Sequence, residues 1–347
     1  MTKKLLFIGW VVLLVACASE PTGQPINEPT MQPTMQPAMQ PTMQPTMQQT
    51  NPPTIQQSAT NEEVQMEDDP FRVVAYVTTN IIPGTIPYER LTHINYSFLI
   101  PNSDGTFAKL VNGWKLKQIV KDARAADVEV LISVGGWGWE KEFETLAADP
   151  LTRTAFVTNL SDLVAEYDLD GADVDWEYPV LGVSDQNYLL LMQEIRVAMP
   201  DKLITTAVVS HGSNGDGVPS ESFEIFDFVN VMTYDGPEHG SMGQFDVGLN
   251  YWQERGLPAD KKVMGIPFYA RPSETSYRKI VGDNPEAAMQ DSVELNGTEI
   301  FYNGIPTVQE KVRRSKLDAG GVMFWTLDND AVGELSLLGA IDREVGK

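Results

Sequence analysis

From Phe71 to the C-terminus, two hydrophobic periods alternate along the chain. Short apolar runs that suit buried strands occur at residues 73–77, 93–98, 128–134, 172–176, 203–209, 228–232, 263–267 and 321–325. Between them lie segments whose apolar residues recur three and four apart, the helical period. Residues 114–126 carry Leu116, Ile119, Val120 and Ala123 in that spacing, and residues 151–167 carry Phe156, Leu160, Leu163, Val164 and Tyr167. Residues 186–199, closed by Pro200, residues 245–254, stopped near Gly256, and residues 306–316 and 331–345 complete the expected helices. Strands alternating with helices in this way predict an α/β fold, a (β/α)8 TIM barrel. An open doubly wound sheet is the alternative, but no glycine-rich nucleotide loop follows the first strand.

The N-terminal part has neither period. Lys3 and Lys4 precede an apolar run at residues 5–16, which is too short to span a bilayer and suits a secretory signal. The run ends Leu14-Val15-Ala16-Cys17. This resembles the bacterial lipobox, in which the cysteine becomes the lipidated first residue. Ala18 follows, not Asp, so nothing signals retention at an inner membrane. Further on, Thr30-Met31-Gln32-Pro33 is followed by near-copies through Thr46-Met47-Gln48. Proline recurring every fourth residue, with no apolar face, describes a disordered tether of polyproline character. The expected division is a signal at 1–16, a tether at 17–69 and a catalytic barrel at 70–347. Lipid on Cys17 would anchor the chain in a bacterial cell envelope without a spanning helix, facing the periplasm or the surface, the outer membrane included.

Composition acts here by exclusion. The 347 residues carry a formal charge of −23, which argues against nucleic acid as a partner. A single cysteine excludes an intramolecular disulfide and a cysteine-based zinc site. His93, His211 and His239 are far apart and show no ligand spacing, so neither metal nor cofactor is expected, and each histidine reads as an ordinary core or loop residue.

One stretch breaks the apolar pattern. Residues 170–179 place Asp170, Asp173, Asp175 and Glu177 in and beside the fourth strand, bounded by Gly171 and Pro179. Strand alternation points Asp173, Asp175 and Glu177 to one face and Val174 and Trp176 to the other. Three acids on one face of a core strand repel each other and are costly to desolvate, so chemistry explains them better than stability does. In a barrel the active site lies at the C-terminal strand ends, where Gly135-Gly136-Trp137, Asp175, Glu177, Tyr234, Asp235, Tyr269, Arg271 and Trp325 also fall.

These residues resemble glycoside hydrolase family 18, the chitinases. Residues 170–179 are similar to its DxxDxDxE signature, and Ser133-Val134-Gly135-Gly136-Trp137 to its SxGG motif. Met232-Thr233-Tyr234-Asp235, Gly265-Ile266-Pro267-Phe268-Tyr269-Ala270-Arg271 and Gly321-Val322-Met323-Phe324-Trp325 resemble its motifs on strands six, seven and eight, in the family's order. The resemblance implies substrate-assisted hydrolysis of β-1,4-linked N-acetylglucosamine polymers, in which the substrate's acetamido oxygen is the nucleophile. It implies that Glu177 is general acid and then base, that Asp175 holds the acetamido N–H, and that Asp173 shares a proton with Asp175. Tyr234 would bond the acetamido oxygen, Asp235 would contact the sugar at the cleaved unit, and Trp325 would form the floor beneath it. Tyr269 and Arg271 would line the same pocket, with Tyr76 and Ser133 orienting the acids. Trp137, Trp139 and Phe98 fall near neighbouring sugars, with core packing as the alternative for each. Asp170 would fix the strand or its loop.

Two departures bear on substrate. Residues 272–305 are too few for the large α+β insertion many members carry after strand seven, and Gly236-Pro237-Glu238-His239-Gly240 lacks a tryptophan. Both imply an open cleft that cuts within chains. An endo-β-N-acetylglucosaminidase acting on N-glycans or wall glycan would use the same motifs. A non-catalytic chitin-binding lectin is opposed by the presence of Glu177. The expected assembly is a monomer.

Overall fold

The computed structural model describes residues 71–346; the expected signal, Cys17 and the tether lie outside them. The alternating periods form a closed parallel barrel of β1 (Arg72–Thr78), β2 (His93–Leu99), β3 (Glu129–Gly135), β4 (Gly171–Asp175), β5 (Leu203–Val209), β6 (Phe228–Met232), β7 (Lys262–Pro267) and β10 (Gly321–Trp325). The last strand closes the ring, with Gly321 opposite Val263 on one side and Arg72 on the other. Around the barrel run α1 (Gly113–Arg124), α2 (Glu140–Ala148), α3 (Pro150–Glu166), α4 (Asp185–Ala198), α6 (Met242–Glu254), α8 (Ile305–Asp318) and α9 (Leu337–Val345). The short α5 (Ser213–Asp216) and α7 (Tyr277–Asp283) lie in connections.

Period-two alternation sorts the barrel into two cores. Outward residues such as Val73, Ala75 and Val77 join helix residues including Leu116, Ile119, Phe156 and Leu160 in one large apolar cluster. Inward residues Val74, Tyr76, Phe228, Val263 and Met323 make a smaller cluster inside the barrel. On β4, Ala172 and Val174 belong to the outer core, as does Trp176 just beyond the strand, whose ring stacks on Phe143 of α2 at 5.2 Å. That packing fixes the strand's rotation and turns the alternate acids inward.

The structure departs from expectation at two places, and it fills in the short insertion after β7. Residues 140–148 form a helix of their own, which Asp149 separates from α3. The Asp149 carboxylate accepts the Leu151 N–H at 2.8 Å, and Pro150 takes the first helical position. The expected helix at 331–345 begins only at Leu337, because Gly333 sits at φ +70° and Asp330 accepts from Leu337 N–H (2.8 Å), Leu338 N–H (3.1 Å) and Ser336 Oγ (2.7 Å). Residues 272–305 contain α7 and an antiparallel hairpin, β8 (Ser292–Leu295) and β9 (Thr298–Phe301). Its turn residues Asn296 and Gly297 both have positive φ, as a tight hairpin turn requires.

Candidate active site

At the C-terminal ends of the strands the backbone needs glycine at two adjoining positions. Gly135 and Gly136 leave β3 with φ of +110° and +88°. A Cβ on Gly135 would stand 2.4 Å from the Asp175 carbonyl oxygen, and one on Gly136 would stand 2.7 Å from the Phe98 ring. Their absence lets β3 close onto β4, where Gly136 N–H donates to Asp175 C=O at 2.9 Å.

Asp173 is fully buried inside the barrel. Tyr76 Oη (2.9 Å) and Ser133 Oγ (2.8 Å) donate to its Oδ2, while Thr205 Oγ1 (2.6 Å) and Asn230 Nδ2 (3.2 Å) donate to Oδ1. Burial pushes its pKa up and these four bonds pull it back, leaving it above the ordinary carboxylate value. The Asp173 charge is in turn one of the causes that raise Asp175, so the two buried carboxyls titrate as a pair.

Asp175 is also buried, and its Oδ1 has no hydrogen-bond partner among the described residues. Burial, then the charges of Glu177 and Asp173, push its pKa well above the usual range. Glu177 is raised to about 7, by burial first, with Asp235 and Glu140 adding to the rise and a bond from Tyr178 opposing it. β4 ends at Asp175, so Glu177 and Tyr178 both turn into the same cavity.

A second wall follows β6 and β7. Tyr234 Oη lies 3.7 Å from Met323 Sδ, a weak acceptor. Asp235 Oδ1 accepts from Tyr269 Oη at 2.7 Å and Arg271 Nε at 2.6 Å, and Arg271 is paired with Glu274 as well. Burial alone would raise the Asp235 pKa, but the bonds from Arg271 and Tyr269 and the Arg271 charge outweigh it and hold the carboxyl far below the ordinary value. The site therefore contains carboxyls of opposite character: Asp175 and Glu177 hold protons readily, and Asp235 stays ionised.

The cavity between these walls has a volume of about 670 Å³. Tyr76, Phe98, Trp137, Trp139, Asp175, Glu177, Tyr234, Asp235, Tyr269, Arg271 and Trp325 line it. Ser133 and Asp173 lie beneath, joined to Tyr76 by the bonds above. Trp325 stacks on Phe98 at 5.2 Å and meets Tyr76 at 5.7 Å, so its ring is held at the base by aromatic neighbours. Trp137 is 80 % exposed, which removes core packing as its explanation, while Trp139 both packs on the outer core and lines the cavity. Asp170 lies away from the cavity, accepting Val130 N–H at 2.8 Å, as expected of a strand-fixing residue. Tyr178, Ala207, Met232, Glu274 and Asn329 also line the cavity and were not among the expected site residues. Tyr178 follows the key acid directly; the others follow from the register of β5 and β6 and from the loops after β7 and β10. Among the described residues no group of three His, Cys, Asp or Glu side chains is placed to hold a metal.

A barrel with inward acids and an aromatic floor at its C-terminal rim defines a glycosidase-type site. The chain belongs to the glycosyl hydrolases family 18, whose family model matches residues 72–330. Among solved structures it is similar to the family 18 chitinase ChiB of Flavobacterium johnsoniae, with 29 % identity, a TM-score of 0.69, and coverage of 80 % of this chain and 94 % of that one. A chitinase of Bacteroides thetaiotaomicron is similar at 28 % identity and a TM-score of 0.72, covering 80 % and 97 % of the two chains. Endochitinase 1 of Metarhizium anisopliae is 23 % identical over 77 % of this chain and 82 % of its own length. Chitinase A1 of Niallia circulans is 32 % identical over 42 % of this chain, a match that spans 27 % of that relative.

Proposed function

We propose that the protein hydrolyses β-1,4-linked N-acetylglucosamine chains, chitin and its oligomers, with retention and with the substrate's acetamido oxygen as nucleophile. The observation that carries this is the division of charge across the cavity. Glu177, raised to about 7, holds the proton a general acid needs near neutral pH. Asp235 faces it but is held by Arg271 and Tyr269, so it is a poor candidate for an attacking carboxylate. Among the described residues the other carboxylate lining the cavity, Glu274, is paired with Arg271, which supports a nucleophile supplied by the substrate.

Glu177 protonates the glycosidic oxygen while the acetamido oxygen attacks the anomeric carbon, giving an oxazolinium ion. Glu177, now ionised, takes a proton from water, which opens the ion and restores the starting configuration. Asp175 passes its proton to Asp173, turns towards the acetamido N–H and accepts its hydrogen bond, and its carboxylate balances the developing positive charge. Asp173, anchored by Tyr76 and Ser133, holds that proton. Tyr234 Oη exchanges its thioether partner for the acetamido oxygen. Asp235, with Tyr269 and Arg271, binds the sugar hydroxyls, and Trp325 carries the apolar sugar face. Phe98, Trp137 and Trp139 extend this contact to adjoining units. The relatives named chitinases support the choice of polymer.

We also propose the division into a signal at 1–16, a tether at 17–69 lipidated at Cys17, and a catalytic domain at 70–347, with the enzyme anchored in a bacterial envelope and monomeric. The lipobox-like sequence supports the anchor. Product analysis on chitin oligomers, peptidoglycan and a high-mannose glycopeptide in parallel tests the substrate. Cleavage of the oligomers is expected; cleavage of the glycopeptide with the oligomers left intact would overturn the assignment.

A further inference from the structure

We propose that His239 is a positioning residue for this site: its neutral imidazole sets the backbone of Asp235 and, through Tyr269, the orientation of the Asp235 carboxylate. The inference rests on the reading that Asp235 binds the sugar at the cleaved unit. Asp235 follows β6 with φ +63°, a left-handed conformation that a residue with a Cβ holds only when its surroundings favour it. Its N–H donates to His239 Nδ1 at 3.0 Å. A ring nitrogen that accepts carries no proton, so the proton lies on Nε2, which donates to the Tyr269 carbonyl at 3.0 Å. Tyr269 Oη in turn donates to Asp235 Oδ1. The bonds close a circuit from the Asp235 backbone through the imidazole and Tyr269 to the Asp235 carboxylate.

Both ring nitrogens are spent in this circuit, and the His239 side chain is only 2 % exposed. The imidazole therefore has no free nitrogen for proton transfer to substrate. It is itself gripped from behind. Gln244 Oε1 accepts Gly240 N–H at 2.9 Å, and its Nε2 donates to the carbonyls of Tyr234 (3.1 Å) and Asp235 (2.8 Å). Asn303 Nδ2 donates to the Gly240 carbonyl at 2.8 Å, and Asn303 Oδ1 accepts from the buried Lys311 Nζ at 2.8 Å. A fully bonded buried network of this kind specifies one arrangement of the loop after β6.

The test uses His239→Phe, which keeps ring volume and loses both bonds, His239→Gln, which lacks an acceptor at the Nδ1 position, and His239→Asn, which keeps one there. Each is made in protein labelled with carboxyl-¹³C aspartate, with the Asp235 resonance assigned by Asp235→Asn. In the Phe and Gln variants the Asp235 resonance is expected to start its acid titration about one pH unit higher than in wild type, and kcat/KM on a short chitin oligomer to fall about tenfold. His239→Asn should recover most of both. If Phe does not fold, Gln decides. Wild-type titration in the variants lacking the acceptor, or an Asn variant no better than Gln, would overturn the positioning role. If Asp235→Asn hydrolyses the oligomer normally, the sugar-binding reading of Asp235 fails, and the titration still decides whether His239 sets it.

Discussion

Replacing Glu177 by Gln separates what the carboxyl does for chemistry from what it does to the fold. Burial is the main reason its pKa rises from 4.5 to about 7. In the unfolded chain this group ionises at its ordinary value, so between about pH 4.5 and 7 the folded protein holds a proton the unfolded chain has released. Stability from this group is therefore greatest in acid and falls as pH rises through that window, by about 1.4 kcal/mol per unit. The loss is complete above pH 7 and amounts to at most about 3 kcal/mol, because Asp175 takes part in the same titration. Glutamine has no charge to desolvate and relieves Asp175 of its neighbour's repulsion. The variant should melt with wild type near pH 4.5 and about 5 °C above it at pH 8, while turnover falls at least about a hundredfold. Calorimetry across this pH range, beside a turnover assay, checks both. A variant that melts below wild type at pH 8, or a gap that does not widen between pH 4.5 and 7, refutes the electrostatic account. Near-normal turnover refutes the catalytic role.

Three other perturbations address separate parts of the molecule. Tyr76→Phe removes one of the four donors to Asp173 and should cost about 1–2 kcal/mol of stability, read by denaturant unfolding, with a several-fold loss of turnover; no change in either would show that the remaining three donors suffice. Trp137→Ala, at an exposed position, should leave stability within about 0.5 kcal/mol but weaken binding of long oligomers about tenfold, measured by titration calorimetry, with equal binding of long and short oligomers counting against a subsite there. Cys17→Ser should move the protein from the membrane to the soluble fraction with its activity intact; a variant still sedimenting with membranes would contradict lipid anchoring.

The barrel was legible because its strands are apolar runs and its larger helices carry clear apolar stripes. The acids of β4 were legible for the opposite reason, since Asp173 and Asp175 stand where apolar residues would be expected in a core strand. What stayed hidden depended on contacts distant in sequence or on local capping. Ala331, Val332 and Leu335 have helical spacing in the sequence, whereas Asp330 caps a helix that starts only at Leu337. The Asn296-Gly297 turn is a hairpin signature, but the strands it joins are four residues each and largely unburied, so they carry no clear apolar alternation. Alternation would send Tyr178 away from Glu177, but the strand has ended by then. His239 reads as an ordinary loop histidine, and only the approach of the loops after β6 and β7 gives its two nitrogens their partners.

The central claim is that the substrate supplies its own nucleophile, and the configuration of the first product tests it most directly. Glu177 and Asp175 line the cavity from β4, and Asp235, beyond β6, is held by Arg271 and Tyr269. An inverting mechanism would need a free carboxylate to activate water across the sugar. Attack by the acetamido oxygen and then by water gives two inversions. NMR of a β-linked N-acetylglucosamine oligomer digest, recorded before mutarotation, should show the β-anomer as the first product, and an oligomer deacetylated at the cleaved unit should not be turned over. A dominant α-anomer, or good cleavage at glucosamine units, would contradict the account.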